Sequence, residues 1–239
     1  MGSADPYEVE QDPRWTACDE FQFPRLNPSS RPYHDAIEHA FTNSIAKGLE
    51  DISVAPSQGK FLSVQCQILG AKNVLEVGTL GAYSTIWMAS SNPDVKVVTL
   101  EIDPQIAEIA RENIRYAGLE DRIELIDGAA ADVLPKLVDE VAQGKRPKFD
   151  FSFIDADKEN ALNYFNWCKA ASRKGAVVYI DNMIRKGLLA DAELAKTDIR
   201  VQGIRTAVEG VGKDESVDAV ILQTVGEKNY DGFLMAIVK

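Results

Sequence analysis

The order of hydrophobic and polar positions divides most of this chain into alternating short and long segments. Short apolar or β-branched segments, typical of buried strands, occupy 74–78, 96–101, 122–126, 149–155 and 176–181. Stretches of helical periodicity lie between them, at about 83–91, 104–117, 130–142 and 160–173. Strands that alternate with helices of this length form right-handed crossovers and a parallel sheet covered on both faces. The pattern therefore predicts a doubly wound α/β fold.

The two ends of the chain depart from this alternation. Apolar segments at 216–224 and 231–239 are separated only by a short polar turn, which predicts antiparallel strands. Near the other end, helical spacing begins at about residue 32, and a second helix is predicted over 56–69. Four prolines stand among the polar and aromatic residues of 1–31, which favours an irregular arm. The rest of the chain, 32–239, is expected to form one domain.

Composition excludes several classes of partner. The chain has 26 basic and 37 acidic residues, a net charge of −11 and a pI of about 4.7, so it repels nucleic-acid phosphates and anionic membrane surfaces. No apolar run approaches the roughly 20 residues of a spanning helix. The three cysteines, Cys18, Cys66 and Cys168, share no metal spacing, which favours reduced thiols and a cytoplasmic protein. With only His34 and His39 available, histidine catalysis is not expected.

Ligands of doubly wound sheets bind beyond the carboxyl ends of the strands, so the residues that follow each strand are candidate contacts. The first strand leads into Gly78 and Gly81, which let the backbone turn close to a ligand, although such a turn also serves strand-to-helix packing. The spacing is not the GxGxxG of a dinucleotide site. Glu101, at the tip of the second strand, suits a ribose diol, whereas Asp103 suits a helix cap.

Two other features of the strands point to a ligand. Glu76 lies among the core residues of the first strand, and a buried carboxylate needs a partner, which a cationic ligand would supply. The third strand leads into Ala129, Ala130 and Ala131, whose small side chains would allow a flat ring to lie against them. An ordinary alanine-rich helix start is equally consistent with these alanines.

Acids also follow the fourth and fifth strands. Asp155, Asp157 and Lys158 come after one strand, and Asp181 and Asn182 come after the next. Unpaired carboxylates brought together would raise each other's pKa, and a divalent cation resolves that conflict. Oxygen donors without thiolate or imidazole favour Mg²⁺, Mn²⁺ or Ca²⁺ over Zn²⁺. The alternative is that each acid caps the helix that follows it.

Five segments, in this order and at these spacings, resemble the cation-dependent O-methyltransferases, the group of catechol and caffeoyl-CoA O-methyltransferases. The segments are VLEVGTLGAYS, VVTLEIDP, IDGAAADVLP, FSFIDADK and VVYIDN. IDADK followed by IDN is specific for that group, and the resemblance runs from about residue 32 to the C-terminus. It implies the Rossmann-like class I methyltransferase sheet of seven strands, with the last strand inserted antiparallel.

The resemblance also implies a role for individual residues. Asp155, Asp181 and Asn182 match metal ligands, Lys158 matches the catalytic lysine, and Asp155 and Lys186 stand on the substrate side. Positions that match contacts of S-adenosylmethionine are Glu76, Gly78, Thr79, Ser84, Glu101, Ala130 and Asp157, with Glu101 on the ribose. Whether Lys158 takes the proton of the acceptor or stabilises its anion stays open.

Departures from the family pattern narrow the expected acceptor. Gly81-Ala82 replaces the usual Thr-Gly, Val54 stands where many members have threonine, and Lys186 stands where the plant enzymes have asparagine. The N-terminal arm lacks the acyl-CoA-binding residues of the plant enzymes. We therefore expect methyl transfer to one hydroxyl of a vicinal-diol phenol, a catechol or a flavonoid-like polyphenol. The apolar residues of the N-terminal helix make a homodimer the expected assembly.

Three other functions are compatible with parts of the pattern. A nicotinamide-dependent oxidoreductase shares the fold class, but GxGxxG and a Tyr-x-x-x-Lys proton donor are missing from the sequence. A non-catalytic cofactor-binding protein predicts an interrupted set of metal ligands, whereas this set is whole. A cation-independent methyltransferase would use the acids after the fourth and fifth strands as helix caps.

Overall fold

The computed structural model describes residues 11–239, which form eight α-helices and seven β-strands. The helices are α1 (Pro13–Leu26), α2 (His34–Ala46), α3 (Pro56–Ile68), α4 (Tyr83–Ala89), α5 (Pro104–Tyr116), α6 (Ala130–Ala142), α7 (Ala161–Ala171) and α8 (Ile199–Gly212). The strands are β1 (Asn73–Val77), β2 (Lys96–Glu101), β3 (Ile123–Asp127), β4 (Phe149–Ile154), β5 (Ser172–Ile180), β6 (Val217–Val225) and β7 (Tyr230–Val238). Among these helices, none combines the length and apolar character needed to cross a membrane.

All seven strands belong to one sheet with the order β3-β2-β1-β4-β5-β7-β6. The first five strands pair in parallel, and β7 runs antiparallel to both β5 and β6. Strand β1 has β2 on one side and β4 on the other, so the strand order reverses between β1 and β4. Ligands bind doubly wound sheets at such a point. The predicted α/β class and the antiparallel C-terminal hairpin are confirmed.

Helices cover both faces of the sheet, as the pattern predicted. Successive side chains of a strand point to opposite faces, so Val74 and Leu75 belong to two different core clusters. The first cluster receives Leu62 from α3 and Ile86 from α4, among others. The second receives side chains of α6, α7 and α8, including Leu134, Phe165 and Ile204. The sheet is therefore held between two apolar layers, and its strand ends are left for binding.

The prediction of an irregular arm is wrong for the stretch that forms α1. Pro13 occupies the first turn, where its missing N–H costs nothing, and the Asp12 carboxylate caps that turn by accepting from the Arg14 backbone N–H at 2.9 Å. Pro24 lies only two residues before the helix ends, so it interrupts little. Residues 1–10, the rest of the predicted arm, lie outside the described residues, and the division of the chain at residue 32 stays a prediction.

Helix α1 is tied to the rest of the protein by polar and aromatic contacts. The Asp19 carboxylate accepts from Ser57 Oγ of α3 at 3.2 Å and from the Glu227 backbone N–H, in the turn between β6 and β7, at 2.9 Å. The Phe23 ring meets the Trp87 indole edge to face, with ring centres 6.3 Å apart.

Helix α8 begins after the capping carboxylate of Asp198. Like α1, it is an element that the sequence patterns left unassigned.

Candidate active site

The turn after β1 brings the ends of β1 and β4 close together. Gly78 has φ of 98°, a conformation that favours glycine, and its N–H donates to the Leu100 carbonyl of β2 at 3.1 Å. A Cβ at Gly78 would overlap the carbonyl of Asp155, since it would lie 2.9 Å from the carbonyl carbon and nearer to the oxygen. The predicted cofactor turn therefore packs directly against the backbone of a predicted metal ligand.

Glu76 is completely buried and finds its partners within the protein. Its carboxylate accepts from the hydroxyls of Ser84 and Thr99, each at 2.6 Å, and from Thr85. The Thr99 hydroxyl also bonds that of Thr79 at 2.6 Å. Burial raises the pKa of Glu76 to about 7 despite these bonds. The premise that Glu76 needs a cationic ligand as its partner is wrong, because three hydroxyls satisfy it.

Asp103 caps the helix after β2 as the sequence predicted, whereas the ribose contact of Glu101 stays a prediction. Glu101 is buried at the end of β2, where its two oxygens accept from the backbone N–H of Leu80 at 2.9 Å and of Asp103 at 3.0 Å. Asp103 caps α5 by accepting from the Gln105 N–H at 2.7 Å. A carboxylate has about four acceptor directions, so Glu101 keeps lone pairs for a diol while it holds the turn after β1.

The acids after β4 and β5 meet because these strands are neighbours and Ile154 pairs with Ile180. Asp155 and Asp181 each follow one of those residues, and Lys158 Nζ lies 3.3 Å from Asp155 Oδ1. Lys158 and Asp181 are buried, with 6% and 5% of their surface exposed. Burial, and after it the charge of Asp155, raises the pKa of Asp181 to about 7.

The residues after these two strands form a small donor set for a cation. Within residues 11–239, no group of three or more histidine, cysteine, aspartate or glutamate side chains is arranged to hold a metal ion. The predicted set has two carboxylates, Asp155 and Asp181, and the amide of Asn182, whose backbone is held in the left-handed region at φ of 53°. These donors fit a hard cation, because all are oxygens and a cation would relieve the repulsion from Asp155, which adds to the effect of burial on the pKa of Asp181.

The remaining predicted site residues lie around this centre. Asp157 is exposed and accepts from Tyr164 Oη and Asn160 Nδ2, each at 2.5 Å, so its contacts within the protein are with the segment that opens α7. Ala130 is the first residue of α6. Lys186 is half-buried in the loop after β5, where its φ is 57°.

Asp231, the second residue of β7, supports the loop that carries Lys186. Its carboxylate accepts from the backbone N–H of Arg185 at 2.8 Å, of Gly232 at 2.9 Å and of Ile184 at 3.2 Å. The bonds from Arg185 and Ile184 hold the loop after β5 against the start of β7, and the bond from Gly232 lies within β7.

Sequence reasoning missed two groups of polar residues around the site. Thr85 and Thr99 are partners of Glu76, and Gln58 of α3 donates to Asp181 at 2.7 Å. The contacts of the threonines could be inferred from their strand and helix positions, because Thr99 pairs with Glu76 in the register of β1 and β2. Gln58 has no such signal, since only the packing of α3 on β5 brings it to the site.

A mostly parallel sheet with a tight glycine turn after β1, an acid after β2 and acids after β4 and β5 has the Rossmann-like arrangement of a cofactor-binding enzyme. The O-methyltransferase family model matches residues 28–235 of this chain. The chain therefore belongs to the O-methyltransferase family, as the sequence resemblance implied, and it is an enzyme of that class. The class I S-adenosylmethionine-dependent group predicted from the motifs is confirmed.

Individual relatives are similar over nearly the whole chain. The O-methyltransferase imqG of Aspergillus flavus is 50% identical over 232 residues, which cover 97% of this chain and 94% of that protein. A catechol O-methyltransferase of Niastella koreensis is 47% identical over 209 residues, covering 87% and 92%. The crystal structure of a Bacillus cereus O-methyltransferase in complex with SAH superposes with a TM-score of 0.87 at 44% identity, covering 95% of this chain and 99% of that one.

Proposed function

We propose that this enzyme transfers the methyl group of S-adenosylmethionine to one hydroxyl of a vicinal-diol phenol, with a divalent cation, Mg²⁺ or else Mn²⁺ or Ca²⁺, bound beside the acceptor. The observation that carries the proposal is the meeting of Asp155, Asp181 and Lys158 at the ends of two adjacent strands. Further support comes from the relatives, one of which is a catechol O-methyltransferase and another a structure with SAH bound.

The cofactor would lie over the carboxyl ends of β1 and β2. Glu101 accepts the ribose hydroxyls with the lone pairs that its two backbone partners leave free. The backbone of Gly78 and Thr79 would run close to the cofactor. Ser84, in the first turn of α4, would face the aminoacyl end of S-adenosylmethionine. Glu76 acts here through Ser84, because the carboxylate accepts from that hydroxyl and fixes its position.

Two more residues complete the proposed cofactor site at the ends of β3 and β4. Ala130 leaves room for the adenine ring because its side chain is a single methyl group. Asp157, exposed beyond β4, offers negative charge to a cofactor that carries a sulfonium and an ammonium group.

Asp155, Asp181 and Asn182 would hold the cation. A bound divalent cation supplies Lewis acidity, which lowers the pKa of an acceptor hydroxyl from the value of about 10 that is usual for a phenol. Vicinal hydroxyls give two adjacent oxygens to share with these ligands, which is the basis of the proposed substrate class. Asp155 would both bind the cation and line the acceptor site, because Lys158, which acts on the acceptor, lies against it.

Lys158 is the residue proposed to promote loss of the proton from the acceptor hydroxyl. In-line methyl transfer needs an acceptor that has lost, or nearly lost, its proton before the carbon–oxygen bond forms. Lys158 Nζ is buried and held by Asp155 Oδ1 at 3.3 Å, which limits the positions that its proton-exchanging group can take. In the proposed mechanism Lys158 either takes the proton of the acceptor hydroxyl as a neutral amine or, as an ammonium ion, stabilises the anion left when that proton passes to water. Lys186 lies toward the substrate from the loop after β5.

The proposal extends to assembly and compartment. Strand β6 is one edge of the sheet, and Val220, Leu222 and Val225 on it are exposed, which supports the predicted homodimer because an apolar edge favours pairing. Cys18, Cys66 and Cys168 form no disulfide, which suits a reducing cytoplasmic environment.

An acceptor screen tests the substrate class. Transfer of labelled methyl from S-adenosylmethionine is measured with catechol, a catechol-bearing flavonoid, phenol and 2-methoxyphenol. We expect product with the two vicinal diols and none above background with the two single hydroxyls. Equal rates on phenol and catechol would refute the vicinal-diol proposal.

A further inference from the structure

Gln58 reaches the proposed metal centre from outside the set of strand-end residues. It lies in the first turn of α3, and its side-chain Nε2 donates to Asp181 Oδ1 at 2.7 Å. The same nitrogen is 3.4 Å from the hydroxyl of Tyr179, which belongs to β5. The contact joins two segments 123 residues apart in sequence.

The Gln58 amide donates a short hydrogen bond to the Asp181 carboxylate. The other oxygen of Asp181, Oδ2, is 3.4 Å from Asn182 Nδ2, which is near the limit for a hydrogen bond. Asp181 is 95% buried by its residue surface, since 5% is exposed, so its orientation depends on the few polar groups around it. Because Gln58 holds Oδ1, Oδ2 lies on the side of Asn182, and the two predicted metal ligands that follow β5 lie together.

The turn of α3 that carries Gln58 is itself held on two sides. Ser57 bonds α1, donating to Asp19 at 3.2 Å and accepting from Gln22 Nε2 at 3.1 Å. Gly59 packs so closely on the Trp87 ring of α4 that a Cβ would overlap it. The amide of Gln58 is thus presented from a fixed backbone, as a group that orients another residue must be.

We propose that Gln58 is a positioning residue, which fixes the Asp181 carboxylate in the orientation that the divalent cation requires. The proposal rests on the proposed function, because it presupposes that Asp181 binds a cation. Partners of this kind hold metal ligands in place, and their loss lowers metal affinity by about 10- to 100-fold. Gln58 would therefore set the affinity for the cation without touching S-adenosylmethionine.

Two variants remove the donor in different ways. Gln58→Met keeps the length of the side chain, and Gln58→Ala leaves space, so they share only the lost amide. Gln67→Met is the matched control, because Gln67 lies on the same helix, is exposed and makes a long 3.5 Å contact with Ser63, away from the strand ends. Mn²⁺ affinity is measured by electron paramagnetic resonance of the free ion, with S-adenosylmethionine affinity by calorimetry and thermal unfolding alongside.

We expect both Gln58 variants to bind Mn²⁺ about tenfold more weakly than wild type, with unchanged affinity for S-adenosylmethionine and an unchanged unfolding midpoint. Gln67→Met should match wild type in all three measurements. Unchanged Mn²⁺ affinity in either Gln58 variant would overturn the positioning role alone. A joint fall of all three quantities would show a merely structural role and also overturn it. Absence of Mn²⁺ binding by wild type would overturn the metal proposal and this one together.

Discussion

The buried Glu76 carboxyl makes a quantitative prediction about stability and pH. Folding raises its pKa from 4.5 to about 7, because burial penalises the charged form more than the three hydroxyl donors favour it. Between these two values the folded protein keeps a proton that the unfolded chain releases. Stability contributed by this group is therefore complete below pH 4.5 and is lost as the pH rises through about 7.

The size of the loss follows from the shift. One pKa unit corresponds to about 1.4 kcal/mol, so Glu76 should cost the folded protein about 3 kcal/mol between pH 4.5 and 8. Glu76→Gln cannot titrate and should lack that contribution. Urea unfolding followed by circular dichroism, at several pH values and without cofactor or metal, measures the free energy of unfolding of both proteins.

The difference between the two profiles isolates Glu76 from the other groups that titrate in this range. We expect wild type to lose about 2.5 kcal/mol more than Glu76→Gln on going from pH 5 to pH 8. Glu120→Gln is the matched control, because Glu120 is exposed and its variant should follow the wild-type profile. Parallel profiles for wild type and Glu76→Gln would refute the reasoning, and so would a relative gain of wild-type stability at high pH.

Two further predictions concern the turn after β1 and the division of the site. Gly78→Ala should lower the free energy of unfolding by about 3 kcal/mol in urea, because its Cβ overlaps the Asp155 carbonyl. Gly118→Ala should cost about 1 kcal/mol, since its φ of 64° is also positive but its Cβ meets open space; equal losses would contradict the overlap. Glu101→Gln should weaken S-adenosylmethionine binding about tenfold by calorimetry, whereas Asp155→Asn should abolish transfer and leave that binding intact. The reverse pattern would contradict the assignment.

The sheet and the meeting of acids at its edge could be predicted because both depend on local pattern. Strands β4 and β5 were recognisable from their apolar runs, and parallel neighbours bring their carboxyl ends together, so Asp155 and Asp181 could be placed in one site. Asp103 was recognisable as a cap because Pro104 follows it in the first turn of α5. Each of these conclusions needs only residues close together in sequence.

What could not be predicted depends on contacts between distant segments or on a local preference that was misjudged. The bond from Gln58 to Asp181 requires the packing of α3 on β5, which no spacing shows. The sequence suggests a cationic ligand as the partner of Glu76, because its actual partners are three neutral hydroxyls, which no pattern of charged residues reveals. Proline-rich composition predicts an irregular arm where helix α1 forms, because Pro13 stands in the first turn, where a helix tolerates proline.

The most direct test of the central claim is methyl transfer to catechol with the divalent cation controlled. Enzyme freed of metal with a chelator is assayed with labelled S-adenosylmethionine, first in excess EDTA and then after Mg²⁺ is restored in excess over the chelator. The predicted result is loss of transfer in EDTA and its return with Mg²⁺, with binding of S-adenosylmethionine retained in both conditions. Full activity in excess EDTA would contradict the metal assignment and would favour a cation-independent methyltransferase.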